Sequence, residues 1–155
     1  MFKADNMEYD NRVITNNGFW PDITVGDFQR KRTIPPDVNH LQVGDYLVNA
    51  IKEINKNLSD YTAQMKAKGF KTAAEVTGDD GDPVMLGGEN QLVIQYKKAV
   101  YARAKADLVP EYASLSRREA HIGQDSPQTK AQLLAESSFV LRSIKGLSRV
   151  GVSIV

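Results

Sequence analysis

The sequence predicts an all-α protein: a small antiparallel helical bundle of three main helices plus a short N-terminal helix, with an extended N-terminal arm and a C-terminal strand-like tail. Three observations predict it. Apolar residues recur at alternating steps of four and three along three long segments, as one buried face of a helix requires. Glycine, proline and aspartate punctuate the chain between those segments. The connections are short, which favours antiparallel packing of successive helices.

Residues 1–23 are polar and rich in Asn and Asp, interrupted by Phe19, Trp20 and Pro21. Such a segment lacks the apolar density to fold alone and reads as an arm with one aromatic anchor. Thr24 and Asp27 have the spacing of a capping box, with Asp for the usual Glu, so a short helix is predicted over 25–32. Pro35 and Pro36 stop it. A long helix is predicted over 37–68, with Leu47, Ile51, Ile54, Leu58, Tyr61 and Met65 on one stripe and Lys52, Glu53, Lys56, Asn57 and Asp60 on the other face. Lys66 and Lys68 suit its C-terminal dipole, and Gly69 its left-handed cap.

Residues 77–88 read as a loop. A second helix follows over 89–118, with Val93, Tyr96, Val100, Ala104, Leu108, Tyr112 and Leu115 as its stripe. Pro110 predicts a kink or break at 106–109. Residues 119–126 form a second loop. Ser126 and Pro127 then start a third helix that reaches about Leu147, with Leu133, Ser137, Val140, Ile144 and Leu147 as its stripe, flanked by Leu134 and Leu141. The tail 148–155 is apolar and β-branched and suits a strand. The expected organisation is an arm (1–23), a helical domain (24–147) and a tail (148–155).

A chain of 155 residues fits one domain and buries roughly 68–70% of its unfolded surface. Its 20 basic and 19 acidic residues leave a net charge of +1. The basic excess of a dedicated duplex-DNA binder is missing, although a local patch remains compatible. No cysteine is present, which excludes disulfides, thiolate metal sites and cysteine nucleophiles. No apolar run approaches the ~18 residues of a membrane span, so no membrane partner is expected. The N-terminus carries no apolar signal core, which points to synthesis in the cytoplasm.

Candidate chemistry is sparse. Asp79, Asp80 and Asp82 offer oxygen ligands for a hard cation, but not at EF-hand spacing, and a solvated turn is the expected reading. His40 and His121 lie on separate segments without ligand partners at helical spacing. No nucleophile elbow or phosphate-binding glycine motif occurs. Tyr96, Tyr101 and Tyr112 share a helix with Lys97, Lys98, Arg103 and Lys105, a pattern compatible with nucleic-acid contact but better read as a packed face beside a solvated one. No catalytic residue, metal site or cofactor is expected. The alternatives to a structural role are a nucleic-acid-binding helical module and a metal-dependent enzyme using the acidic loop.

The chain also resembles the head-completion proteins (the gpL type) of temperate contractile-tailed phages. The resemblance rests on Phe19-Trp20-Pro21-Asp22-Ile23, Thr33-Ile34-Pro35-Pro36, Glu53-Ile54-Asn55, Lys68-Gly69-Phe70, Tyr96 with Ala99-Val100, and the Val152-Ser153-Ile154-Val155 ending, in that order over residues 19–155. It implies a virion protein at the head–tail neck, and not an enzyme. Such a protein binds as a ring beneath the portal protein after DNA packaging and prepares the head for the tail. The implied partners are the portal, a tail-completion or terminator protein, further copies of itself in a ring of twelve, and packaged DNA through a loop. Large obligate interfaces need apolar anchors. Phe19, Trp20, Val152, Ile154 and Val155 lie outside the predicted helical stripes and are the expected anchors.

Overall fold

A computed structural model describes residues 9–35, 38–77, 84–119 and 129–146, with backbone alone at 40 and 111–119. Strand β1 (Val13–Ile14) pairs antiparallel with β2 (Ile23–Thr24), Val13 opposite Thr24 and Ile14 opposite Ile23. Helix α1 (Val25–Lys31) follows directly, then α2 (His40–Asn57), α3 (Ser59–Ala67) and a 3-10 turn at Ala73–Glu75. A hairpin of β3 (Met85–Leu86) and β4 (Glu89–Asn90) leads into α4 (Gln91–Glu119), and α5 (Lys130–Lys145) ends the described chain. The fold is predominantly helical, but the two strand pairs correct the all-α expectation. Both pairs sit where a turn brings flanking residues together, and each strand is only two residues long, too short for alternation to be read from sequence.

Helix α4 is the hub. It packs most extensively on α5 and next on α2. The α4–α5 pair is antiparallel: Gln95 Nε2 donates to Ser143 Oγ at 3.2 Å, Ser137 Oγ to the Ala99 carbonyl at 2.9 Å, and Lys130 approaches Asp107 at 3.9 Å. Ala99, Ala102, Ala104 and Ala106 are fully buried on α4. Such small side chains let neighbouring elements approach closely. The predicted stripes form the core: Leu47, Ile51 and Ile54 from α2 with Leu58 at its end, Val93, Tyr96, Val100 and Leu108 from α4, and Leu133, Ser137, Val140 and Ile144 from α5 are all buried.

The predicted helix over 37–68 is instead two helices meeting at Leu58. The ladder runs through the junction, because Leu58 N–H still donates to the Ile54 carbonyl and Thr62 N–H to that of Leu58. The Thr62 hydroxyl donates to the same Leu58 carbonyl at 2.8 Å, a back-bond that bends helices. Asn39 caps α2 by accepting from Leu41 N–H at 3.0 Å, so the helix begins at His40 and not at residue 37. At the far end Gly69 takes φ +100°. Gly69 N–H donates to the Lys66 carbonyl and Phe70 N–H to that of Met65, the paired bonds of a Schellman cap.

Three further expectations change. Thr24 precedes α1 but its side chain makes no capping bond. Asp27, one methylene shorter than the Glu of a capping box, accepts from Tyr101 Oη at 2.5 Å instead. Helix α4 continues through Pro110, so of the predicted kink or break the break does not occur. Helix α5 is capped by Thr129, which accepts from Gln132 N–H and whose own N–H donates to the Gln132 side chain. Ser126, the predicted cap, lies outside the described residues. Helix α5 ends at Lys145 with Gly146 left-handed, two residues short of the predicted Leu147.

Candidate functional site

The N-terminal segment is where sequence expectation and structure diverge most. Phe19 and Trp20 are each 2% exposed. Trp20 stacks on Tyr96 with ring centroids 4.5 Å apart and planes 6° apart, and lies near-parallel to Tyr61 at 6.1 Å. Phe19 meets it edge-on at 4.9 Å. Trp20 Nε1 donates to Thr62 Oγ1 at 3.0 Å, and the Phe19 carbonyl accepts from Ala73 N–H at 2.8 Å. These two aromatics therefore anchor the arm to its own helices and offer almost no surface to a partner. The physical reason is area: two rings in so polar a segment gain most by burial against the nearest apolar helix faces.

A polar network fastens the same segment. Asn16 Nδ2 donates to Tyr96 Oη at 2.8 Å, Tyr96 Oη donates to Asn55 Oδ1 at 2.6 Å, and Asn55 Nδ2 returns to Asn16 Oδ1 at 2.8 Å. Burial pushes the Tyr96 hydroxyl well above its ordinary pKa, so it stays protonated and donating. Asn17 Oδ1 accepts from both Phe19 and Trp20 N–H groups, which shapes the turn before the rings. Further on, the buried Gln29 side chain accepts from Asp10 N–H at 2.9 Å.

The aromatic and basic residues of α4 do not form a free binding strip. Tyr96 and Tyr101 face the core. Lys97 pairs with Glu89 at 2.5 Å, Arg103 lies 3.8 Å from Asp107, and Lys105 donates to the Arg32 carbonyl at 2.9 Å. Lys98 is exposed; Tyr112 lies among residues whose side chains are not described. Asp79, Asp80, Asp82 and His121 lie outside the described residues, as do Val152, Ile154 and Val155. His40 opens α2. Among the described residues no cluster of His, Asp or Glu could hold a metal ion, and no helix is long and apolar enough to cross a membrane.

One ion pair ties α1 to α5. Both Arg32 guanidinium nitrogens reach the two Glu136 carboxylate oxygens. The bond from Arg32 is the main reason the Glu136 pKa falls below its ordinary value; burial opposes it, and the charges of Arg32, Lys98 and Lys105 reinforce it. A carboxyl depressed on folding stabilises fully above its unfolded pKa of about 4.3, and the contribution is lost as pH falls through the folded value. Glu136→Gln should therefore destabilise by about 1–2 kcal/mol at neutral pH. The difference from wild type should shrink on acidification below about pH 4.3. Chemical denaturation across that range checks it; a difference that does not change with pH would exclude this ion pair as the cause.

The apolar surface left open lies elsewhere. Val84, Met85 and Leu86 are 71%, 53% and 72% exposed on β3 and its approach. Gly87 and Gly88, at φ +58° and +82°, turn the hairpin, the pair of positive φ values that a tight two-residue turn needs. Nearby, a groove of about 330 Å³ is lined by Phe19, Pro21, Thr72, Ala74 and Val93. Three consecutive exposed apolar residues on a short strand mark a contact surface more than a fold requirement.

Residues 14–155 match the phage head completion protein (GPL) family. The chain belongs to that family. Across 98% of both chains it is 38% identical to a protein of Haemophilus phage HP1 named "Probable head completion/stabilization protein". It is 32% identical to the head completion/stabilization protein of Escherichia phage P2, over 93% of this chain and 83% of that one. No solved structure matches the chain significantly. As a head completion protein, the chain has its family match over the clasped segment, all five described helices and the hairpin alike, so the whole fold and not one motif carries the family likeness.

Proposed function

We propose that this protein completes the DNA-filled phage head by binding as a ring beneath the portal and forming the platform to which the tail attaches. The observation that carries the reading is family membership over nearly the full chain, with relatives named for head completion and stabilization. The role is structural and not enzymatic. The partners are the portal protein, a tail-completion or terminator protein, and copies of the chain itself in a dodecamer. The protein is made in the host cytoplasm and ends in the neck of the virion. Val152, Ile154 and Val155 supply interface anchors, while Phe19 and Trp20 serve inside the subunit. A loop from 77–88 or 119–126 faces the packaged DNA.

Heads assembled without this chain test the reading. They should package DNA, then lose it and fail to accept tails, and purified protein added back should restore both. Averaged electron micrographs of restored heads should show ring density below the portal. Heads that hold their DNA and join tails without the chain would end the proposal. So would restored heads whose added protein sits away from the portal vertex.

A further inference from the structure

We infer that the C-terminal tail of one copy adds as a strand to the free edge of β3 in the next copy. The inference rests on the ring reading above and specifies how its subunits would be joined.

The acceptor is the hairpin. Strand β3 pairs only with β4, and among the described residues its other edge carries no backbone hydrogen bond. An unpaired edge is a template for another strand. Here it carries Val84, Met85 and Leu86, the first and last of them more than 70% exposed. Among the described residues this edge has no strand beside it, and its apolar side chains are exposed.

The donor is the sequence beyond α5. Nine residues, 147–155, follow Gly146 outside the described structure. Val150, Val152 and Ile154 are branched, apolar and spaced by two, the periodicity of one face of a strand. Strand addition uses main-chain bonds for affinity and alternate side chains for specificity. A tail of this pattern suits an edge of that chemistry.

The root of the tail lies at the hairpin's end of the molecule. The Gln95–Ser143 bond places the last turn of α5 beside the first turns of α4, and α4 begins immediately after β4. Rotation about a ring axis preserves height. The tail root of each copy therefore stands level with the hairpin of its neighbour. Nine extended residues reach up to about 30 Å. Each copy then has one donor and one acceptor on different surfaces. Such a heterologous contact repeats from copy to copy around a ring when the rotation closes.

The absence of cysteine makes the test clean. Leu86→Cys chains and Ile154→Cys chains, mixed on heads lacking the protein and then oxidised, should give a disulfide-linked dimer that reduction removes. A double Leu86→Cys/Ile154→Cys chain should give a ladder of linked subunits. Circular dichroism of each variant confirms that the helices form. A double variant that yields only a faster-migrating monomer, with no dimer from the mixture, would place the tail on its own hairpin and overturn the inference. Ring density below the portal without any cross-link would overturn it too, while leaving the ring intact. No ring at all would overturn the proposed function, and this inference with it.

Discussion

Replacing Trp20 with alanine should cost about 3–5 kcal/mol of folding stability. Trp20 is 2% exposed, stacks on Tyr96 and donates to Thr62. Alanine removes the ring that fills the space between the arm and the helices, and what remains is a cavity that a bundle held by α4 cannot close. At roughly 2–4 °C per kcal/mol for a chain of this size, the midpoint should drop by about 6–20 °C. Thermal melts followed by far-ultraviolet circular dichroism measure it, since the variant has no other tryptophan to report by fluorescence. A loss under about 1 kcal/mol, the typical effect of an ordinary substitution, would show that the arm is not clasped in solution. Trp20→Phe should fall between, because it keeps most of the apolar area and loses the bond to Thr62.

Asn90→Ala should cost about 2–4 kcal/mol, from two separate losses. Asn90 is 2% exposed. Its side-chain oxygen accepts from Val93 N–H at 2.9 Å, which caps α4. Its nitrogen donates to the buried Ala73 carbonyl at 2.9 Å. Alanine strips the cap from the hub helix and removes one of the two donors on the buried Ala73 carbonyl, which keeps the Val76 N–H. Asn90→Asp separates the two: it can accept from Val93 but cannot donate to Ala73, so it should recover part of the loss. Urea unfolding of the three proteins gives the comparison. Equal stability for alanine and wild type would show that neither bond forms.

The helices were legible because their signal is local and repeated. Leu47, Ile51, Ile54 and Leu58 state a buried face several times over, and the structure buries each of them. Gly69 was legible because a left-handed cap has so few residues to choose from. The break at Leu58 was not, because it depends on one hydroxyl turning back on one carbonyl. The role of Trp20 was misjudged for a different reason. Its ring partners Tyr61 and Tyr96 belong to stripes already assigned to helix packing, and no local pattern says that a polar arm will fold across them. Asn90 carried a signal that could have been used. An Asn three residues before Val93, ahead of a helical stripe, is a common cap, but its second partner, the Ala73 carbonyl, is visible only in three dimensions. The hairpin was read as plain loop because Gly87 and Gly88 mark a turn without stating that the residues beside it pair.

The clasp of the arm also sets an order of events at the ribosome. Trp20 needs Thr62, 42 residues downstream, and Asn16 needs Tyr96, 80 residues downstream. At about 5–20 residues per second, a nascent chain waits roughly 4–16 s between making Asn16 and making the tyrosine that receives it. Until it ends Phe19 and Trp20 travel without their full set of native neighbours, in a segment rich in asparagine and aspartate. A segment made well before its partners is thus among the last to find its place, and the translation of α4 is the step that releases it to dock.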